Sequence, residues 1–205
     1  MVPFGPIIIS IIKAVNAIRK LFSNNPPGPV TQCPLGALSK AKADEMFKTL
    51  ASQNHIPFDY PDDCCYSRAH EMCRIMKAEG VDCRKVWNYG QGFPDNSTLQ
   101  ASTPNHPNGK VSWRYHVAPV VSVNENGTCT DMVMDPSLFD RPVTVAEWKQ
   151  KQQDQNSTIE ITSATPYFRT PKDAYMEDDP TYAKTSATLK QHGYDRDLRN
   201  KKAGK

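Results

Sequence analysis

Apolar residues recur every three to four positions in three segments of the first eighty residues, which is the period of an amphipathic helix. The spacing predicts helices over 7–22, 38–53 and about 65–79. Gly80 follows the third segment, and glycine is common just past the end of a helix. The stretch SNNPPGP at 23–29 is rich in residues that interrupt regular structure, so it predicts a linker.

Alternation of apolar and polar side chains replaces the helical period further along the chain. Segments 84–89, 111–123 and 129–135 predict strands, and Pro119 inside the second predicts an edge position or a bulge. The dipeptide Asn-Gly at 126–127 predicts a two-residue hairpin turn between the last two strands. Helices followed by antiparallel strands predict an α+β fold.

Basic charge is concentrated at the two ends of this 205-residue chain, whose formal net charge is +3. Residues 1–29 carry three basic residues and no acid, and residues 189–205 carry six basic residues against two acids. A nucleic-acid-binding domain would spread basic residues over a folded face, so no nucleic-acid partner is expected. We predict an N-terminal amphipathic helix and linker over 1–32, a main domain over 33–190 and a flexible basic tail over 191–205.

The sequence also argues against several other classes of protein. No apolar run reaches the ~18–20 residues of a membrane span, which excludes a multi-pass membrane protein. Segment 7–22 has no basic residue before its apolar run and is poor as a signal peptide, so it is either a packed helix or a membrane-surface segment. Six cysteines without paired CxxC spacing indicate neither a disulfide framework nor a zinc site. Cys65, His70 and Cys73 would point to different faces of one helix, so no metal is expected.

Cys65 stands at the predicted start of the third helix, where unpaired backbone N–H groups and the helix dipole favour a thiolate. A lowered pKa would make Cys65 a nucleophile, and the same N–H groups can bind an oxyanion. If 126–127 form the hairpin turn, Asp135 lies opposite Ala118. It then shares the sheet face of His116 and can orient the imidazole toward a thiol. Each residue also has an ordinary role, as a small buried side chain, a polar strand neighbour or a turn former.

The segment FDYPDDCCYSRAHEM at 58–72 resembles the active-site segment of the bacterial protein-glutaminases, enzymes that deamidate glutamine side chains in intact proteins. The matching residues are Tyr60, Pro61, Cys65, Tyr66, Arg68, Ala69 and His70. The segments VSWRYHVAPVVSV and MDPSLFDRPVT resemble the family's histidine and aspartate segments, and the likeness extends over about 40–190. It implies a papain- and transglutaminase-like core in which the helix that bears the nucleophilic cysteine packs on an antiparallel sheet. It also implies that Cys65, His116 and Asp135 are catalytic and need no metal or organic cofactor.

The implied reaction is hydrolysis of protein-bound glutamine to glutamate and ammonia through a cysteine thioester. Tyr66, Trp87 and Trp113 are candidate residues of the substrate groove, with core packing as the alternative. The same catalytic residues would also serve a transglutaminase or a cysteine peptidase. A binding module without activity is a further alternative on this fold.

Two departures from the family bear on regulation. Cys64 stands where the family tends to have glycine, and the cysteine pair before the family's histidine strand is absent, so its disulfide is not carried over. Characterised members are secreted with a long inhibitory pro-region, whereas about 40 residues precede the domain here. We therefore expect a secreted or delivered bacterial effector or toxin, controlled by an inhibitory or delivery partner. Its substrate would be a protein with exposed glutamines, and residues 7–22 are the candidate membrane contact.

Overall fold

The computed structural model describes residues 33–203, so the predicted helix 7–22 and linker 23–29 lie outside the described residues. The elements in chain order are β1 (Leu38–Ser39), α1 (Lys40–Ala51), α2 (Cys65–Ala78), β2 (Arg84–Tyr89), β3 (Leu99–Ser102), β4 (Lys110–Trp113), β5 (Tyr115–Glu125), β6 (Thr128–Val133), β7 (Val143–Thr144), α3 (Val145–Lys151), β8 (Thr158–Ser163), β9 (Pro166–Arg169), a 3₁₀ turn (Pro171–Asp173), β10 (Met176–Asp178) and α4 (Ala183–Lys202). None of the helices over 33–203 combines the length and the hydrophobicity of a membrane span.

Strand β5 is the centre of a six-stranded sheet with the order β7-β6-β5-β2-β8. β2 pairs antiparallel with the first half of β5, and β6 pairs antiparallel with the second half. Short β1 lies parallel to the end of β5. Two further pairs, β3 with β4 and β9 with β10, form small separate sheets. This mixture of helices and a largely antiparallel sheet confirms the predicted α+β class.

The β5–β6 hairpin has the predicted turn. Asn126 and Gly127 have positive φ angles of 53° and 83°, which an Asn-Gly turn tolerates at low cost. Glu125 pairs with Thr128 next to the turn, and the pairing continues to Val120 and Val133. Beyond the strand, the N–H of Met134 donates to the carbonyl of Pro119 at 2.9 Å. The following residue, Asp135, is therefore brought beside the start of β5.

The predicted strand 111–123 is two strands, because the chain leaves the small sheet at β4 and enters the central sheet at β5. Pro119 lies within β5 and pairs with Lys85 without a bulge, contrary to the predicted edge or bulge. The carbonyl of Pro119 accepts from Met134, on the side of β5 away from β2. The nitrogen of Pro119 faces the same side, because the N and C=O of one strand residue point toward the same neighbouring strand. The missing N–H therefore removes no bond from the β2–β5 ladder.

Helices cover both faces of the sheet. On one face, α1 and α2 pack in a core with alternate residues of β5. Met72 and Met76 of α2 and Val121 of β5 belong to this core. On the other face, Trp148 of α3 packs with the intervening residues, including Ala118. Consecutive side chains of a strand point to opposite faces of the sheet. Neighbouring residues of β5 therefore belong to different cores.

The predicted flexible basic tail is ordered as helix α4 up to Lys202. Its Arg199 donates to Asp62 at 3.0 Å and lies 4.8 Å from the ring centroid of Tyr60. Arg196 approaches Asp59 at 3.5 Å. Acidic residues in the loop before α2 thus offset the basic charge that suggested a solvated tail, and the folded domain extends past residue 190.

A disulfide joins Cys33 to Cys129, which are 96 residues apart. It ties the segment before β1 to strand β6. The four remaining cysteines, Cys64, Cys65, Cys73 and Cys83, are free thiols. The cysteine spacing contained no signal for this pairing, because the two partners meet only through the sheet.

Candidate active site

Cys65 is the first residue of α2, as the sequence predicted. Cys64 before it has φ 58° and ψ 22°, the left-handed conformation that favours glycine, which is the residue expected there by resemblance. The carboxylate of Asp63 accepts the Cys64 N–H at 2.6 Å. No side chain caps the first turn of α2, so its N-terminal backbone N–H groups remain available to a ligand.

The Cys65 thiol lies beside the open edge of β5. Its side chain packs in one small core with Val117, the residue that follows His116, and the Val117 backbone N–H acts to lower the pKa of the thiol. Cys65 is only 4% exposed, and this burial raises the pKa of its thiol to about 12, although Arg68 acts in the opposite direction. The predicted lowering of the pKa is therefore wrong, because desolvation outweighs the favourable field at the helix start. The resting group is a thiol, and a base must remove its proton.

His116 and Asp135 form a buried pair. His116 Nε2 lies 2.8 Å from Asp135 Oδ2, which also accepts the indole N–H of Trp148 at 2.9 Å. The other oxygen, Oδ1, accepts the Ser137 backbone N–H at 3.2 Å. Burial opposes ionisation of Asp135, but the charge and hydrogen bond of His116 and the indole lower its pKa. An ionised Asp135 accepts only, so the proton of the neutral imidazole lies on Nε2.

The remaining imidazole nitrogen, His116 Nδ1, has no hydrogen-bond partner within the described part of the chain, although it is buried. On the neutral ring this nitrogen carries a lone pair. Because Cys65 packs with Val117 and His116 directly precedes Val117, the acceptor and the thiol belong to one site. The arrangement can accept a proton from sulfur while Asp135 stabilises the resulting imidazolium.

Two tryptophans hold the imidazole ring. The centroid of Trp113 lies 4.5 Å from that of His116 at an interplanar angle of 9°, and Trp148 lies on the other side at 5.5 Å and 23°. Trp113 also donates its indole N–H to the Pro61 carbonyl at 2.7 Å. This bond connects the histidine to the loop before α2, so both parts of the site are positioned by the same side chain.

The candidate groove residues differ in their surroundings. Trp87 is fully buried and donates to Thr162 Oγ1 at 3.0 Å, which favours core packing, the alternative to a groove position. Trp113 is 5% exposed and packs on His116 rather than lining a groove. Tyr66 is half-buried, and its ring meets Tyr167 edge-on at 5.1 Å.

Sequence reasoning missed an aromatic cluster beside the thiol. Half-buried Tyr66, Phe93 and Tyr115 pack against the small core that contains Cys65. Phe168 joins them, at 5.6 Å from Tyr115 and 6.0 Å from Tyr66. The position of Tyr115 directly before His116 was the available signal. Phe93 and Phe168 had none, since they come from distant loops and strands.

We expect Trp148→Phe to lower kcat about 10-fold, because a hydrogen bond to a charged group contributes ~1.5–3 kcal/mol and ~1.4 kcal/mol corresponds to a factor of ten. The phenyl ring keeps the packing on His116 but leaves Asp135 Oδ2 with one donor fewer. Trp87→Phe is the matched control, since it removes an indole N–H that faces Thr162 instead. Steady-state assays and thermal melts of both variants would check this. Equal kcat losses in the two would contradict a specific effect through Asp135.

A cysteine at an uncapped helix start, beside a buried imidazole–carboxylate pair on an α+β scaffold, is typical of cysteine hydrolases and acyltransferases. Over residues 33–203, no three His, Cys, Asp or Glu side chains are placed to hold a metal ion. The family model described as glutaminase matches residues 43–152, which is more than half of the chain. The chain belongs to this family, that of the protein-glutaminases, and is a hydrolase that acts on amide C–N bonds.

Solved structures agree with this assignment. A crystal structure of protein-glutaminase is 28% identical with a TM-score of 0.65, and the match covers 78% of this chain and 90% of that one. The NMR structure of protein-glutaminase from Chryseobacterium proteolyticum is 29% identical with a TM-score of 0.63, covering 75% and 86%. A crystal structure of pro-protein-glutaminase is 27% identical with a TM-score of 0.65, covering 89% and 67%. No curated protein matches the chain in sequence. Family and fold together support deamidation of protein-bound glutamine.

Proposed function

We propose that this protein hydrolyses the side-chain amide of protein-bound glutamine through a thioester on Cys65, with His116 as the proton carrier and Asp135 as its orienting group. The buried His116 Nδ1, which has no partner among the described residues and lies next to Val117 in the core that contains Cys65, is the observation that carries this proposal. A buried acceptor without a partner is costly for a folded protein, and a role in proton transfer accounts for it.

The reaction proceeds in two halves. His116 Nδ1 takes the thiol proton as the Cys65 sulfur attacks the glutamine side-chain carbonyl carbon, and the same proton then passes to the departing nitrogen. The C–N bond breaks, ammonia leaves and a thioester remains. In the second half, His116 removes a proton from water as its oxygen attacks the thioester carbon. The C–S bond breaks, glutamate is released and the proton returns to sulfur.

Two features stabilise charge during these steps. Asp135 faces the imidazolium that forms when His116 is protonated, and the indole of Trp148 keeps this carboxylate in place. The N-terminal backbone N–H groups of α2, which no side chain caps, are available to the developing oxyanion. Both groups are present before substrate arrives, so little reorganisation is required.

The aromatic cluster suits the aliphatic part of a glutamine side chain. Tyr66, Phe93 and Tyr115 pack around the nucleophile, and their faces can contact the two methylene groups that precede the amide. One methylene in an apolar pocket is worth ~1–3 kcal/mol. We therefore expect glutamine to be preferred over asparagine mainly through reach, with a discrimination of about 10- to 200-fold.

The Cys33–Cys129 disulfide supports action in an oxidising compartment, because such bonds are rare in reducing cytosols. This agrees with a secreted protein or one delivered into a target cell as an effector or toxin. Pro-forms of protein-glutaminase among the matched structures support control of the site by an inhibitory segment or partner.

The test uses the full chain and a glutamine-containing protein substrate. We expect stoichiometric release of ammonia, conversion of individual glutamines to glutamate by peptide mapping, and an intact substrate backbone. Isopeptide cross-links with an added amine would identify a transglutaminase instead, and new peptide termini would identify a peptidase. Binding to the substrate without ammonia release or any new bond would identify a non-catalytic module.

A further inference from the structure

A second pair of thiols lies about two helical turns along α2 from Cys65. Cys73 is on the helix, and Cys83 directly precedes β2. The Cys83 sulfur lies 4.0 Å from the Cys73 carbonyl oxygen, and both residues line one cavity. Cys73 is buried and Cys83 is half-buried. The deamidation chemistry uses neither residue, and both are free thiols.

A buried lysine charge accompanies the pair. Lys85 is completely buried, and its Nζ lies 2.8 Å from His70 Nδ1. Burial lowers the pKa of Lys85 to about 8, while the nearby thiols act in the opposite direction. Burial and the lysine charge also lower the pKa of His70 to about 4, so His70 accepts a hydrogen bond from the lysine as a neutral ring. Lys85 Nζ also donates to the Pro166 carbonyl, so among residues 33–203 no carboxylate lies at hydrogen-bond distance, and its charge acts on the thiols.

This charge favours the thiolate form of the pair. Burial opposes ionisation of Cys73, but the hydrogen bond from Cys83 and the Lys85 charge lower its pKa below the usual thiol range. A thiolate is the reactive form in exchange with disulfides. The Lys85 charge thus favours Cys73 as the attacking thiol, and Cys83, whose sulfur lies 4.0 Å from the Cys73 carbonyl oxygen, is close enough to resolve the product.

An open cavity of about 780 Å³ gives small molecules access to the pair. Its walls include Cys73, Cys83, His70, Lys77 and Tyr182. This space is large enough for one half of a small peptide disulfide. It lies between α2, the loop before β2 and the segments 163–165 and 178–182, and none of the candidate catalytic residues lines it.

We propose that Cys73 and Cys83 form a second, redox-active thiol site that exchanges with low-molecular-weight disulfides entering this cavity. The Cys73 thiolate attacks one sulfur of the small disulfide, forming a mixed disulfide and releasing one thiol. Cys83 then attacks the Cys73 sulfur, giving the Cys73–Cys83 disulfide and releasing the second thiol. The two protein thiols are oxidised, and the small disulfide is reduced to two thiols. The proposal does not depend on the deamidation reaction.

A Cys73–Cys83 disulfide would join the second half of α2 to the residue before β2 and constrain the loop between them. A cross-link of this kind stabilises the fold by restricting the unfolded chain. For a domain of this size we expect the melting temperature to rise by about 5 °C or more. Because Cys65 lies at the start of the helix and takes no part in this disulfide, oxidation of Cys73 and Cys83 would change the stability of the fold and leave the Cys65 thiol free.

The experiment uses the full chain, reduced, desalted and exposed to glutathione disulfide at graded ratios, then alkylated and mapped by mass spectrometry. We expect two cross-links, Cys33–Cys129 as an internal reference and Cys73–Cys83. Cys83→Ser should instead retain one glutathionyl group on Cys73, because the resolving thiol is absent. The melting temperature should rise further in the wild type than in Cys83→Ser, in which only Cys33–Cys129 re-forms.

Several results would overturn the proposal. Re-formation of Cys33–Cys129 while Cys73 and Cys83 stay fully alkylatable would show that the pair does not exchange. A stable glutathionyl adduct on wild-type Cys73 or Cys83 would show that the second step fails. Lys85→Met, checked for folding by circular dichroism, should slow closure at neutral pH at least several-fold. An unchanged rate in a folded Lys85→Met protein would remove the activating role of the lysine and count against the site as proposed.

Discussion

Cys65→Ala is expected to abolish ammonia release, with kcat reduced by about 10⁴-fold or more, as is typical when a catalytic nucleophile is removed. The substitution removes the sulfur that packs beside Val117, one residue from His116. It leaves the uncapped helix start and the imidazole–carboxylate pair in place. Ammonia release under saturating protein substrate measures the effect, and a thermal melt verifies that the variant is folded.

The neighbouring cysteine is the matched control. Cys64 is also buried, but its sulfur accepts from Arg68 at 3.3 Å and does not lie beside the imidazole. Cys64→Gly retains the left-handed backbone that position 64 requires, so activity should stay within a few-fold of wild type. Ammonia release that persists in folded Cys65→Ala, or that disappears only in Cys64→Gly, would assign the nucleophile to another thiol.

Asp135→Asn is expected to lower kcat by about 10²- to 10⁴-fold, as similar substitutions do in other catalytic triads. The carboxylate accepts from Ser137 with one oxygen and from His116 and Trp148 with the other. An amide has one oxygen and one NH₂ group, so either orientation sets a donor against a donor. The imidazole can then move its proton to Nδ1, which leaves no acceptor for the Cys65 thiol.

Asp131→Asn is the control for Asp135→Asn, since Asp131 lies on β6, is partly exposed and pairs with Arg84 at 2.6 Å. Its kcat should remain near wild type. Stability gives a second measure, because the folded state lowers the pKa of Asp135 below its unfolded value. The stabilisation is therefore present above about pH 4 and is lost as pH falls through the folded pKa. Equal turnover in folded Asp135→Asn and wild type would remove the orienting role.

Local sequence signals predicted much of the scaffold. Helix α2 was expected over about 65–79 and extends over Cys65–Ala78, because apolar spacing and Gly80 are local signals. Strand β2 agrees with the predicted segment at both ends. The hairpin register followed from the Asn126-Gly127 turn and brought Asp135 to His116 as expected.

Other features could not be predicted, because each depends on distant segments. The acidic loop at 59–63 pairs with arginines more than a hundred residues away, so the C-terminal charge run indicated a tail where a helix forms. Strands β8 to β10 lie in a part of the sequence without clear alternation. An aromatic side chain such as that of Trp87 suits a groove or a core equally, and its complete burial in the structure favours the core.

The α+β order of elements, the cysteine at a helix start and the register that joins His116 to Asp135 follow from turn chemistry and periodicity among residues close in the chain. Burial of these groups depends instead on how distant segments pack. Packing by remote segments raises the pKa of Cys65, confines the imidazole between Trp113 and Trp148, and brings Cys73 to Cys83 beside Lys85. Desolvation is a property of the packed assembly, because each buried group is covered by side chains that its own neighbours in sequence do not supply.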